Sequence, residues 1–348
     1  MISKRKPLLM CRYGVLLLCF LWSTWLQAQQ RPHYTQYILN QYILNPAISG
    51  IENYTDVKLS HRHQWVGMQD APVTTYLTVH APLGKKDTRS TATSFSGPGT
   101  NPRGRQYWAD FLAAEPHHGI GMQVINDRTG PLQNFSAYMT YAYHIGLTPR
   151  TNLSAGFGVG FNRLSLNAGR LDFGAVNIDP AVAGSAVLNR FKPDLSAGIY
   201  LYSSGFFAGL SVQQVIPENI RFAENQLSTM QGKLVPHFFA TAGFRVMVGE
   251  DFNLVPSVMV KSITSIPPQV EGNAKLQYRD LLWLGASYRH QDGFAGMAGV
   301  NISNRLNIGY AYDQTVSALN AFTKGTHEIL IGFMIGSSTT EKCPRNVW

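Results

Sequence analysis

Apolar residues recur at every second position along most of this chain. From Asn152, the run Leu153, Ala155, Phe157, Val159 and Phe161 alternates with Ser154, Gly156, Gly158, Gly160 and Asn162. A period of two places successive side chains on opposite faces of an extended strand, so one face here is greasy and the other small or polar. The pattern returns at Phe238, Ala240, Ala242, Phe244 and Val246 against Phe239, Thr241, Gly243 and Arg245. It returns again at Leu306, Ile308, Tyr310 and Tyr312 against Asn307, Gly309, Ala311 and Asp313, and at Ile329, Ile331, Phe333 and Ile335 against Glu328, Gly332 and Gly336. Read along the chain, alternation predicts strands over 54–65, 72–83, 115–126, 132–146, 151–165, 194–204, 205–215, 234–248, 252–264, 268–278, 279–290, 293–302, 303–313 and 325–336.

Turn chemistry divides the links into two kinds. Thr148-Pro149-Arg150, Ser203-Ser204-Gly205, Gly249-Glu250-Asp251, Arg279-Asp280 and Ser303-Asn304 are tight and follow every second strand. Longer links at 166–193, 216–233 and 314–324 alternate with them. Short turns at one rim and long links at the other describe an all-β fold, a transmembrane antiparallel β-barrel of about 14 strands, with the short turns periplasmic. The basic, Ser/Thr/Gly/Pro-rich segment 84–114 departs from the rule and reads as an insertion. In this register Phe157 and Phe244 face lipid, while Arg245 and Asp313 face the lumen.

Composition agrees. Charged residues make up 14% of the chain, where soluble domains carry about 25%, and no apolar helix after residue 28 is long enough to span a bilayer. The N-terminus sets the compartment. Lys4, Arg5, Lys6 and Arg12 precede an apolar run from Tyr13 to Leu26, and Leu26-Gln27-Ala28 offers a cleavage site. That order is a secretory signal peptide, and the run is shorter than the roughly 20 residues of a transmembrane helix. Cys19 follows Leu18, too large for a lipid-attachment site. Cleavage removes four bases and no acid, so the formal charge falls from +9 to about +5. It also leaves Cys343 as the single mature cysteine, which precludes an internal disulfide.

The segment after the signal reads Tyr34-Thr35-Gln36-Tyr37, then Asn45-Pro46-Ala47 and Gly50. Arg62-His63-Gln64-Trp65-Val66-Gly67 and Ala71-Pro72-Val73-Thr74 follow, and the tail carries Lys342-Cys343-Pro344-Arg345. In this order the pieces resemble the PorP/SprF family of Bacteroidetes type IX secretion system membrane proteins. The resemblance implies an outer-membrane barrel that serves secretion or gliding and assists the secretion or surface attachment of cargo. Its implied partners are outer-membrane lipid, periplasmic peptidoglycan-associated and motor-linked components, and a cargo or adhesin bearing a type IX sorting domain. The motif residues Gln36, Tyr37, Asn45, Pro46, Gly50, Gln64, Trp65, Gly67, Cys343, Pro344 and Arg345 are the candidates for partner binding. The chain then divides into a signal peptide (1–28), an N-terminal periplasmic or plug segment (29–53), the barrel (54–336) and a periplasmic C-terminal tail (337–348). Both chain ends return to one side in an even-stranded barrel, so 29–53, 84–114 and 337–348 are expected at a shared periplasmic rim.

Other chemistry finds little support. His61 and His63 share a strand face, but no third ligand is spaced to complete a metal site, and His117 and His118 point to opposite faces. No G-x-S-x-G elbow, phosphate loop or nucleic-acid motif occurs. No cofactor, nucleic acid or enzymatic reaction is expected. A general porin or solute channel is the alternative, because the inner glycines at 156–160 suit either a roomy lumen or close packing by an inserted segment.

Overall fold

A computed structural model describes residues 33–85, 113–167, 187–220, 232–264, 266–279, 281–303 and 305–336. The expected signal peptide, most of the expected insertion 84–114, and the tail with Cys343, Pro344 and Arg345 lie outside these residues.

Fourteen antiparallel strands form the wall. They are β1 (Thr55–His63), β2 (Val73–Leu83), β3 (His117–Thr129), β4 (Leu132–Thr148), β5 (Thr151–Asn167), β6 (Val187–Tyr202) and β7 (Phe206–Gln213). Then come β8 (His237–Phe244, resumed at Val246–Val248), β9 (Phe252–Ile263), β10 (Ile266–Tyr278), β11 (Leu282–Arg289), β12 (Gly293–Ser303), β13 (Leu306–Thr315) and β14 (Thr326–Ile335). Each pairs with its sequence neighbours, and β1 closes on β14 from Thr55 opposite Ile335 to His63 opposite His327. Closure leaves no edge whose backbone groups would go unpaired in lipid.

Every strand expected from alternation is present, and two details differ for physical reasons. β8 is interrupted at Arg245, although its register against β9 is the same on both sides, with Gly243 opposite Ser257 and Val246 opposite Leu254. Pro256 stands within that gap on β9 and has no N–H to offer. β6 begins at Val187, before the expected start at 194, and carries Pro193 within it. β7 starts to pair with β6 at Ser196, so Pro193 withholds no hydrogen bond from it.

The exterior is apolar as expected. Phe157 and Phe244 are exposed on the outer wall, and Asp313 is buried on the inner one. Arg245 follows the inward phase, half-buried, with Nη1 donating to the Ser204 carbonyl at 3.1 Å. The rim holding both barrel ends has the tight turns at Pro149, Ser204 and Glu250, which the short-turn rule makes periplasmic. The opposite rim holds the links 64–72 and 316–325, the ends of β5, β6, β7 and β8 at Asn167, Val187, Gln213 and His237, and short turns at Gly130 and His290.

The inner wall does not line open water. Residues 34–51 form three 3-10 turns, Thr35–Ile38, Gln41–Ile43 and Pro46–Ile48, and run through the interior. One apolar cluster joins Tyr37, Ile38 and Ile43 to Trp283, Met297 and Leu330 of the wall. A second joins Ala47, Ile48 and Ile51 to Tyr200, Tyr202 and Phe207. These inward apolar wall residues are the counterpart of a plug.

Candidate functional site

The plug has a direction. His33 meets Gln269 at 2.8 Å, close to where β10 leaves the long-link rim. Gly50 lies at the other end, against Gly119 of β3 and Ala81 and Pro82 of β2. The chain therefore traverses the lumen from the long-link rim to the short-turn rim and enters β1 there. Of the two placements expected for 29–53, rim or plug, residues 33–48 take the plug, inside the barrel, and do not lie at the periplasmic rim.

A segment without regular secondary structure must still pair its backbone groups when buried. Here wall side chains take that role. Gln123 Nε2 donates to the Tyr42 carbonyl at 2.7 Å, and Gln213 Nε2 donates to the carbonyls of Ile43 and Leu44 at 2.9 Å each. Ser211 donates to Leu44 O at 2.6 Å and Ser154 to Ala47 O at 2.7 Å. His144 Nε2 lies 2.7 Å from Ser49 O, with its ring stacked on His117, whose Nε2 reaches Gly50 O at 3.2 Å. The inward histidines thus bind plug backbone.

The upper anchor is ionic. Arg62 of β1 spans two acids, Asp313 of β13 at 2.6 Å and Glu328 of β14 at 3.1 Å. Thr35 completes the cluster. Its hydroxyl accepts from Arg62 Nη1 at 2.5 Å and donates to Asp313 Oδ2 at 2.5 Å, while its N–H donates to Glu328 Oε2 at 2.9 Å. Gln36 Nε2 donates to the Glu328 carbonyl at 2.8 Å. A second buried pair, Arg289 with Glu271 at 3.0 Å, lies on the neighbouring strands β11 and β10. Charge-assisted bonds of this kind fix geometry as well as contributing energy.

Close approach explains the inner glycines. A Cβ on Gly156 would stand 2.7 Å from Ala47 Cα and 2.8 Å from Ala47 N, both backbone atoms. Gly156 therefore accommodates the inserted segment, whereas a Cβ on Gly158 or Gly160 would meet wall atoms of β4 and β6.

The candidate partner residues separate in space. Gln36 and Tyr37 are buried in the upper lumen, with Tyr37 OH hydrogen-bonded to Asn273. Asn45 caps the third turn by accepting from Ala47 N at 3.0 Å, and its Nδ2 donates to Ile199 O at 2.9 Å. Pro46 opens that turn, and Gly50 ends the plug at φ +76°, a conformation open to glycine. Gln64, Trp65 and Gly67 lie in the link 64–72 at the long-link rim. Val66 and the 323–326 segment clamp that link, with Val66 N donating to Gly325 O and Lys324 N to Val66 O, each at 2.8 Å. Thr35, Arg62 and Glu328, which join the two motifs, were not singled out from sequence. Their signal was available: Arg62 and Glu328 are inward charges on strands that closure makes adjacent.

A family model described as type IX secretion system membrane protein PorP/SprF matches residues 26–333. The chain belongs to the PorP/SprF family. It is a type IX secretion system membrane protein with an outer-membrane barrel fold. In this PorP/SprF barrel the motif segments at 34–50 and 62–67 are the plug, its ionic anchor and the adjoining link. A comparison with curated proteins finds no match. Among solved structures, the Ralstonia pickettii toluene transporter TbuX is similar at 10% identity, covering 85% of this chain and 92% of its own, with a TM-score of 0.48. A Pseudomonas aeruginosa FadL homologue is similar at 9% identity, covering 88% and 96%, with a TM-score of 0.44. The Pseudomonas putida toluene transporter TodX is similar at 9% identity, covering 87% and 93%, with a TM-score of 0.42.

Proposed function

We propose that this PorP/SprF barrel is a plugged anchoring component of the type IX secretion or gliding machinery. It assists secretion or surface attachment of cargo bearing a type IX sorting domain, through its rims, and carries out no catalytic step. The short-turn rim meets periplasmic peptidoglycan-associated and motor-linked partners, and the long-link rim meets cargo. One observation carries this reading over a solute channel: residues 34–51 occupy the lumen with their backbone bonded to the wall. A filled lumen favours a role at the rims over passage of solute through the barrel.

Capture of cargo tests the proposal. The purified barrel, immobilised through its detergent micelle, is expected to retain a secreted protein carrying a type IX sorting domain and to release the same protein without that domain. Equal retention of both forms, or of neither, overturns it.

A further inference from the structure

The strand register sorts the outer wall into rows of residues that face one another directly. One row over β14, β1, β2, β3, β4 and β5 is Ile331, Leu59, Leu77, Val124, Ala137 and Phe161, entirely apolar. One step nearer the long-link rim the row is Ile329, His61, Thr75, Asn126, Phe135 and Arg163. The next is His327, His63, Val73, Arg128, Gln133 and Ser165. The change from apolar to polar marks the membrane boundary on this side.

The outward charges on the described strands at that boundary have one sign. Among the described residues, every Asp, Glu and Lys on the fourteen strands points inward, whereas Arg128 and Arg163 are exposed on the outward face. The outward faces of β7 to β12 carry no formal charge from end to end. An outward Arg is costly at the bilayer midplane and close to neutral at the interface. Both arginines flank β4, so roughly 10 Å of lateral spacing separates them. Arg163 Nε and Nη2 both donate to Oδ1 of neutral Asn189, at 3.2 and 3.0 Å, so its charge is oriented by that bond but not cancelled by it. Asp70 sits in the link above and packs on Gly130. Arg163 stands level with Phe135 on β4 and Phe191 on β6, one step below Arg128, and Phe161 lies one further step toward the membrane centre, stacked on Phe191 at 4.4 Å and 6.1 Å from Phe135.

We propose that this face of β3 to β6 binds one phosphate-bearing glycolipid of the outer leaflet, its anionic headgroup on Arg128 and Arg163 and its acyl chains on Phe135, Phe161 and Phe191. Two cations at the upper edge of an aromatic patch that runs on into the apolar row complement a phosphorylated headgroup above acyl chains, and a free anion would leave the patch unused. Basic residues at a membrane surface attract anionic headgroups in this way. The site rests on the barrel and its register and is independent of the cargo reading.

Native mass spectrometry of the full mature protein in nonionic detergent tests it, with bis-phosphorylated lipid A and dephosphorylated lipid A as probes. The wild type is expected to retain the phosphorylated lipid and not the dephosphorylated one. The double variant Arg128→Gln/Arg163→Gln is expected to weaken retention about tenfold or more, Arg128→Lys/Arg163→Lys to restore most of it, and Arg279→Gln, at the far rim, to change nothing. Equal retention of both lipids by the wild type overturns the proposal without recourse to any variant. So does undiminished binding by the glutamine pair, and so does displacement of the lipid by millimolar inorganic phosphate.

Discussion

Arg62 and Thr35 meet inside the barrel, where the guanidinium Nη1 donates to the threonine hydroxyl at 2.5 Å while the same side chain bridges Asp313 and Glu328. One contact thereby joins plug, first strand and last two strands. Removing the cation leaves two buried carboxylates facing each other, and loss of one partner from a buried ion pair costs about 3–5 kcal/mol. Arg62→Met should therefore lower the temperature of the folded-to-unfolded band shift on gels. An unchanged shift would deny the anchor its role.

Plug removal should open the pore. Deletion of residues 34–48 takes away the segment that fills the lumen, and Gly156→Leu drives a side chain into the space of Ala47. Planar bilayers holding either variant should show stepwise conductance, with the intact protein closed. Open steps from the intact protein would restore the channel reading.

Side selection is testable on β5. Phe157 is exposed to lipid, and a charge near the midplane costs about 2–4 kcal/mol. Phe157→Lys should hamper folding into vesicles far more than Gly158→Ser, whose added atoms meet the movable Ser196 hydroxyl. Equal tolerance would shift the register by one residue.

The strands were legible because a period of two survives in any strand with one face in lipid. The interruption of β8 was not, since the turn at Gly249-Glu250-Asp251 sets Pro256 opposite Phe244 but alternation carries no signal of a missing N–H. The sequence left plug and rim open for 29–53, and could not choose between them for a related reason. Residues 34–51 have no periodicity, and the groups that pair their backbone, such as Gln123, Ser154 and Gln213, lie far along the chain. Alternation marks these as inward polar residues and does not say what they bind. The motif residues Gln36, Asn45 and Gly50 were recognisable, while their burial depends on the closed wall.

Topology follows from the plug's direction. An epitope inserted immediately before His33 should be reached by antibody on intact cells, because His33 stands toward the long-link rim. Cys343, beyond the short-turn end of β14, should react with an impermeant thiol reagent after outer-membrane permeabilisation and not before. The reverse pattern would invert the barrel.

The occupied lumen is the central claim, and a cross-link tests it most directly. Ser49 Oγ and Thr140 Oγ1 lie 2.8 Å apart, one on the plug and one on β4, a separation suited to a disulfide when both become cysteine. In the double variant Ser49→Cys/Thr140→Cys, made with Cys343→Ser and oxidised in membranes, mass spectrometry of the digest should find the peptides carrying positions 49 and 140 joined. Two free thiols, both alkylated in the folded barrel, would contradict the account.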